Sequence, residues 1–247
     1  MTFDLLSTIG ITAGAAAAVA TYIALFGSSL AQRVTIGTAM ALWFIAVLWI
    51  GVPGNIGTPL LGAAVLIPVA VFSLIGFGSF ASRSWLQSAP LPALIALHGI
   101  RVLGILFILL YVAKRLPAPF APVAGWGDVA IGVTALPIGL WVARQPETAR
   151  GPLLLWNSLG LADLVTAVSL GALSAPGAIR LFFDDPSSAL IASLPWILIP
   201  CFLVPSLGFV HLVIFYRTLG ARAAENSALL SSAPSRGMGG SQTANSK

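Results

Sequence analysis

Apolar residues occur along this chain in seven long runs, each separated from the next by a short polar or proline-rich stretch. An α-helix needs about 20 such residues to cross the hydrocarbon core of a bilayer, and the runs have roughly that length. The pattern therefore predicts an all-α fold, a bundle of seven transmembrane helices. The approximate boundaries are 5–30, 34–52, 60–80, 91–115, 124–144, 152–173 and 190–216.

The last run contains three prolines: Pro195, Pro200 and Pro205. Each proline removes a helix hydrogen-bond donor, so we expect a kinked helix there. From Gly220 onward the chain is rich in Ser, Ala, Gly and Asn and lacks apolar periodicity, a composition typical of disorder. The sequence thus predicts a transmembrane domain over residues 1–219 and a disordered cytoplasmic tail over residues 220–247.

The distribution of basic residues predicts the orientation of the bundle. If the N-terminus lies outside, eight Lys and Arg fall on the cytoplasmic side and three on the outer side, with Arg101 left out. The positive-inside rule then favours an outer N-terminus and a cytoplasmic C-terminus. The first run follows Asp4 and no basic residue, so it is predicted as a span rather than a cleaved signal peptide. Four tryptophans near the predicted span ends are expected to anchor the interfaces: Trp126, Trp141, Trp156 and Trp196.

Composition supports a membrane protein and argues against several kinds of partner and site. The chain is 58% hydrophobic and 8% charged, whereas soluble domains carry about 25% charged residues. The net charge of +5 is assigned to basic residues that flank the helices, so no nucleic-acid partner is predicted. The single cysteine, Cys201, excludes an intramolecular disulfide and a cysteine-based metal site.

The run from Leu91 to Arg115 carries two polar residues, His98 and Arg101, three positions apart and therefore on one helical face. An arginine inside an apolar span is costly and almost always finds partners in the bundle interior. The later runs provide three candidate partners: Asn157, Asp163 and His211.

Depth along the helices pairs these residues. Counting about 1.5 Å per residue from the span ends places His98 level with His211, and Arg101 nearly level with Asp163. The sequence predicts an Arg101–Asp163 ion pair, which either fixes the helix register or forms part of a substrate or proton site. In a two-member pair, Asp163→Asn should destabilise more than Arg101→Gln, because a stranded carboxylate can take up a proton and a stranded guanidinium cannot release one.

Three interpretations of the two histidines remain open. They could ligate haem b iron from both sides, take part in a proton relay, or be separately hydrogen-bonded core residues. No other cofactor is predicted, and haem is the only metal group for which His98 and His211 provide a ligand set.

Two similar segments each place a glycine three residues before an aspartate: Gly125 before Asp128 and Gly160 before Asp163. Each pair shares a helical face, which predicts closely packed helices with one carboxylate each in the seam. Asp128 is expected near a helix start at the outer surface, where it either favours the N-terminal end of the dipole or pairs with Lys114 or Arg115.

Sequence signatures of several enzyme and cofactor classes are missing. The chain has no HExxH motif, no nucleotide-binding glycine loop between a strand and a helix, and no lysine in the last run that could form a retinal Schiff base. Ser206 and His211 are five residues apart, off one helical face. No catalytic residue is predicted, and an enzymatic activity is not favoured.

Four stretches carry a resemblance to a known group of proteins: HGIRVLGILF from His98, AGWGD from Ala124, WNSLGLAD from Trp156 and PCFLVPSLGFVHL from Pro200. From about Leu91 to Leu219 the chain resembles an uncharacterised family of bacterial integral membrane proteins. The resemblance implies a multi-pass protein of the bacterial cytoplasmic (inner) membrane and assigns no role to any residue.

The sequence as a whole favours a membrane protein that binds or translocates a small solute or a proton at a polar cluster. The expected partners are the bilayer and that ligand, with no oligomeric state indicated. Two alternatives are a haem b redox protein with His98 and His211 as axial ligands, and a non-catalytic membrane scaffold. The predicted cluster consists of His98, Arg101, Asp128, Asn157, Asp163 and His211.

Overall fold

The computed structural model describes residues 2–52 and 58–232, and every regular element within these ranges is a helix. The all-α prediction is therefore confirmed for this part of the chain. The α-helices are α1 (Thr2–Phe26), α2 (Leu30–Ile50), α3 (Thr58–Phe77), α4 (Phe80–Ser88), α5 (Leu91–Leu97), α6 (Ile105–Val112), α7 (Phe120–Arg144), α8 (Pro146–Leu173) and α9 (Val204–Ser232). Two 3₁₀-helices, His98–Gly104 and Ser188–Ala192, and a π-helix, Ile199–Leu203, complete the set.

Six helical stretches among the described residues are long and apolar enough to cross a membrane. A seventh is obtained only if α3 and α4, which bend by 98° relative to each other, are counted as one span. The seven-span count and the orientation of the termini therefore stay predictions. The six stretches are Phe3–Phe26, Leu30–Ile50, Leu91–Val112, Phe120–Arg144, Pro146–Leu173 and Ile199–Gly220.

The outer faces of these helices carry large apolar side chains that the protein itself does not cover. Examples on three different helices are Leu42, Leu136 and Leu159, each more than half exposed. A soluble protein rarely exposes such extended apolar surface. The arrangement suits a lipid environment.

Helix α1 packs against the later part of the chain. Its small residues Ala15 and Ala18 are buried, and a Cβ added at Gly14 would lie 2.7 Å from Cδ1 of Leu103. The Tyr22 hydroxyl donates a hydrogen bond of 2.6 Å to the carbonyl oxygen of Ser206. The alanine- and glycine-rich first helix therefore packs closely against its neighbours.

The fourth predicted run is one continuous helical span with a 3₁₀ segment in its middle. Helix α5, the 3₁₀ segment His98–Gly104 and α6 follow one another without a gap. This segment lies directly against the α7 backbone: a Cβ at Gly125 would be 2.9 Å from the Gly104 carbonyl oxygen, and a Cβ at Gly132 would be 2.5 Å from the Val102 nitrogen. Small residues allow this approach, so the glycines of α7 let the 3₁₀ segment lie close to that helix.

The last span differs from its predicted form at both ends. The predicted run begins at residue 190, but the long helical stretch begins at Ile199 with a π-helix, so Pro195 precedes it. Helix α9 continues to Ser232. The helix thus runs past Gly220, where the sequence predicts the start of a disordered tail, and residues 233–247 lie outside the described ranges. The tail stays a prediction. The proline- and glycine-rich stretch between the second and third predicted runs, 53–59, is expected to form a turn and also falls largely outside those ranges.

Candidate functional site

Arg101 lies in the 3₁₀ segment with 3% of its surface exposed and contacts three other helices. Its Nε donates to Oδ1 of Asp128 at 2.7 Å, and its Nη2 donates to Oδ2 of Asp163. Its Nη1 donates to the Gly160 carbonyl oxygen at 2.9 Å and lies 3.1 Å from Nε2 of His211. These contacts use four of the five N–H donors of the guanidinium.

The ion pair expected between Arg101 and Asp163 is present, and a second carboxylate joins it. We call Arg101, Asp128 and Asp163 the ionic triad. Asp128 is buried within α7, which begins at Phe120, so the expectation of an aspartate at a helix start near the surface is wrong. Its partner is Arg101 rather than Lys114 or Arg115.

His211 connects the triad to Asn157. The Asn157 Nδ2 donates to the His211 carbonyl oxygen at 3.0 Å, and Nδ1 of His211 lies 2.7 Å from Asn157 Oδ1. A guanidinium only donates hydrogen bonds, so His211 Nε2 accepts from Arg101. The proton of a neutral imidazole is then on Nδ1, where the amide oxygen accepts it. Asn157 thus fixes the tautomer in which His211 accepts a hydrogen bond from Arg101.

His98 stacks on His211, with ring centroids 4.0 Å apart and planes tilted by 34°. The predicted common depth of the two histidines is therefore correct. Trp156 meets His98 edge-on, with centroids 5.5 Å apart, and its indole nitrogen donates to Thr134 Oγ1 at 2.9 Å. Neither ring nitrogen of His98 has a hydrogen-bond partner among the described residues.

This geometry does not fit haem. The two imidazoles are in van der Waals contact, which leaves no room for a porphyrin between them. Both ring nitrogens of His211 are already engaged, by Arg101 and Asn157. The residues described here also contain no group of three or more His, Cys, Asp or Glu side chains able to hold a metal ion.

Glycines make room for the charged groups. A Cβ at Gly160 would lie 2.5 Å from Cε1 of His211, one at Gly127 would overlap the Asp163 carboxylate, and one at Gly104 would overlap Cβ of Asp128. The sequence segments with a glycine before each aspartate predicted close packing with carboxylates in the seam. The structure adds that the glycines sit beside the triad itself.

The triad carries one negative charge in excess when both carboxyls are ionised and His211 is neutral. A buried net charge is costly in a medium of low polarity. A proton on one carboxyl, or one bound monovalent cation, would remove the excess. The triad can therefore take up one positive charge.

Two cavities reach Asp128. One, of about 20 Å³, lies between Arg101, Gly104, Asp128 and Leu203, and about that volume holds one water molecule. The other, of about 400 Å³, lies between α3, α6, α7, α8 and the start of the last span. Asp128 is the ionisable residue that lines both.

Sequence reasoning named all six residues of the predicted cluster, and the structure brings them together. It missed Trp156 as a member: Trp156 and Trp196 are buried, at 7% and 2% exposure, whereas Trp126 and Trp141 remain exposed as interface anchors would be. The signal for Trp156 was its position beside Asn157, at the depth of the histidines. No signal revealed the Gly160 carbonyl as an acceptor for Arg101.

Residues 58–219 match the family model described as a domain of unknown function, DUF8737. The match covers more than half of the chain, and the chain belongs to this family. All six cluster residues lie inside the matched region. No curated protein and no solved structure matches the chain.

Proposed function

We propose that this member of the DUF8737 family is an integral membrane protein that binds a proton or a small solute at the ionic triad and carries it across the bilayer. One observation carries the proposal: a buried arginine faces two carboxyl groups, so the triad holds two groups that can carry a negative charge and one that carries a positive charge. Ionisable groups inside a membrane commonly lie on substrate or proton pathways.

Two irregular helix segments beside the triad support movement. The 3₁₀ segment His98–Gly104 carries Arg101, and the π-helix Ile199–Leu203 borders both cavities. Mid-helix 3₁₀ segments and π-turns are frequent at hinges and functional sites. The triad thus lies where the helices are least regular.

The direct test of binding is infrared spectroscopy of the purified protein, combined with native mass measurement. We expect either the carbonyl stretch of one protonated carboxylic acid, which Asp128→Asn or Asp163→Asn removes, or a retained small cation. Asp4→Asn is the matched control, because Asp4 lies outside the triad. Two ionised carboxylates with no bound species would contradict the proposal.

The scaffold alternative is tested by function rather than by stability. Replacing Arg101, Asp128 and Asp163 together with apolar residues of similar volume removes the charges without stranding one, and such replacements are often tolerated in folded proteins. We expect a folded variant that no longer dissipates a proton gradient in proteoliposomes. Equal flux through the wild type and the folded triple variant would favour the scaffold.

The proposal also includes a bacterial inner membrane, an outer N-terminus and a cytoplasmic C-terminus. The loop charge count supports the orientation, and the resemblance described above supports the bacterial inner membrane. A reporter that works only in the cytoplasm should be active when fused to Lys247. Activity of the same reporter only at the N-terminus would reverse the orientation.

A further inference from the structure

The cavity of about 400 Å³ is large enough for a small organic molecule, and almost all of its lining is apolar. Binding sites for such molecules typically have about 300–1,000 Å³ and a few polar groups that orient the ligand. Its walls include Val65 from α3, Phe107 from α6, Phe120 from α7 and Ala167 from α8. A site with these walls selects a ligand with a hydrocarbon body.

The polar groups of this cavity determine the charge of the ligand. Among the described residues of its lining, Asp128 is the only ionisable one. Ser188 also lines it, but the Ser188 hydroxyl donates to the Gly171 carbonyl oxygen at 2.6 Å. Arg101 does not line it, and its contacts use four of five donors. An anionic ligand would therefore meet a carboxylate and find no cation.

Two aromatic rings add to the preference for a positive charge. Phe107 and Phe120 both line the cavity with Asp128, and their ring centroids are 5.5 Å apart. Aromatic faces attract ammonium groups, most strongly where water is excluded. The rings and the carboxylate thus favour the same ligand charge.

Resting on the proposed function, we propose that the solute is an amphipathic monovalent cation, a hydrocarbon body with one amine or quaternary ammonium group. Its body fills the apolar cavity and its charge pairs with Asp128, which leaves Arg101 in place and gives the triad its missing positive charge. A lipid chain without charge and an anionic amphiphile are the competing occupants.

The test is a binding titration of the purified full-length protein in a non-ionic detergent. Hexyltrimethylammonium is the probe, and hexanol and hexanoate are its neutral and anionic counterparts of the same chain length. We expect the cation to bind at least about tenfold more tightly than either counterpart. Equal binding of all three, preference for hexanoate, or no binding of the cation would overturn the proposal.

Variants locate the site. Asp128→Asn should weaken binding of the cation at least about tenfold and leave hexanol binding unchanged, whereas Asp4→Asn should change neither. Ala167→Phe and Val65→Phe fill the cavity from opposite walls and should abolish binding, while Val133→Phe, on an exposed position of α7, should not. Unchanged binding in both folded cavity-filling variants would overturn the proposal even if Asp128→Asn does not fold.

The infrared result separates the two proposals. If a protonated triad carboxyl is found but the cation does not bind, proton binding stands and the solute assignment falls. If neither a protonated carboxyl nor any bound species is found, both proposals fall.

Discussion

Two arginines of the same region, Arg101 and Arg115, each contact an aspartate, but in different surroundings. The Arg115–Asp4 pair joins side chains that are 36% and 54% exposed, with Nη1 and Oδ1 2.6 Å apart. The side chain of Arg101 is 1% exposed, and those of its partners Asp128 and Asp163 are 10% and 14% exposed. Nearly the same chemistry therefore occurs once at the surface and once in the interior.

The difference shows why burial, rather than the contact itself, determines how strongly the stability of the protein depends on an ion pair. An exposed pair stabilises a protein by about 0–1 kcal/mol, because water and salt screen it. Removing one partner of a buried pair costs about 3–5 kcal/mol, because the other charge stays without compensation. The buried pairs of Arg101 should therefore be more sensitive to substitution than the exposed Arg115–Asp4 pair.

The largest predicted effect belongs to Arg101. Arg101→Gln would leave Asp128 and Asp163 beside each other without a cation and would remove the donors to Gly160 and His211. We expect a loss of about 3–5 kcal/mol in unfolding free energy, measured from the unfolding transition in detergent.

Asp163→Asn should cost less, which reverses the order expected from a two-member pair. The reason is Asp128: it still neutralises Arg101 after Asp163 has lost its charge, and the triad becomes neutral. If Asp163→Asn proves the more damaging change, Asp128 does not compensate the arginine as its position implies.

The next effect is steric. Gly160→Leu places a side chain where even a Cβ would lie 2.5 Å from His211 Cε1 and 3.4 Å from Arg101 Nη1. Overpacking of this kind costs about 1–3 kcal/mol and occasionally more, so folded yield and thermal stability should both fall. The control is Gly220→Leu, because a Cβ at Gly220 meets nothing within 4 Å. Equal stability of the two variants would place the Gly160 face away from the cluster.

Asn157 gives a smaller and more specific effect. Asn157→Ala would leave the Nδ1 hydrogen of His211 and its carbonyl oxygen without their partner, at a cost of about 1–3 kcal/mol. The variant should also shift the nitrogen NMR signals of His211, because its tautomer is no longer held. Unchanged tautomer signals would show that Arg101 alone orients the ring.

The energetic cost of placing a charge in an apolar segment explains which parts of this site could be predicted from the sequence. Arg101 could be identified because a charge in an apolar run requires a partner. Counting residues along the helices then identified Asp163 as that partner. Asp128 was misplaced because Pro117, Pro119 and Pro122 resemble a loop, whereas the helix already begins at Phe120. Proline is tolerated in the first turn of a helix, where its missing N–H has no partner in any case, so the pattern of prolines did not mark the boundary.

Other features had no local signal. The 3₁₀ segment follows an ordinary apolar sequence, and its geometry depends on backbone contact with Gly125 and Gly132 of another helix. Helix α9 extends past Gly220 through a segment without apolar periodicity. The contacts of the 3₁₀ segment join residues that are distant in sequence, so local sequence preference does not reveal them.

The smallest predicted effect is at the exposed pair. Arg115→Gln should change the unfolding free energy by no more than about 1 kcal/mol, and the change should shrink further as salt is raised. Asp4→Asn should cost slightly more, because Asp4 also lies in the first turn of α1, where a negative charge favours the helix dipole. Measuring both variants and Arg101→Gln at low and high salt compares the two environments directly. A loss at Arg115 that equals the loss at Arg101 and does not respond to salt would mean that the Asp4 contact is shielded from solvent and acts as a buried pair.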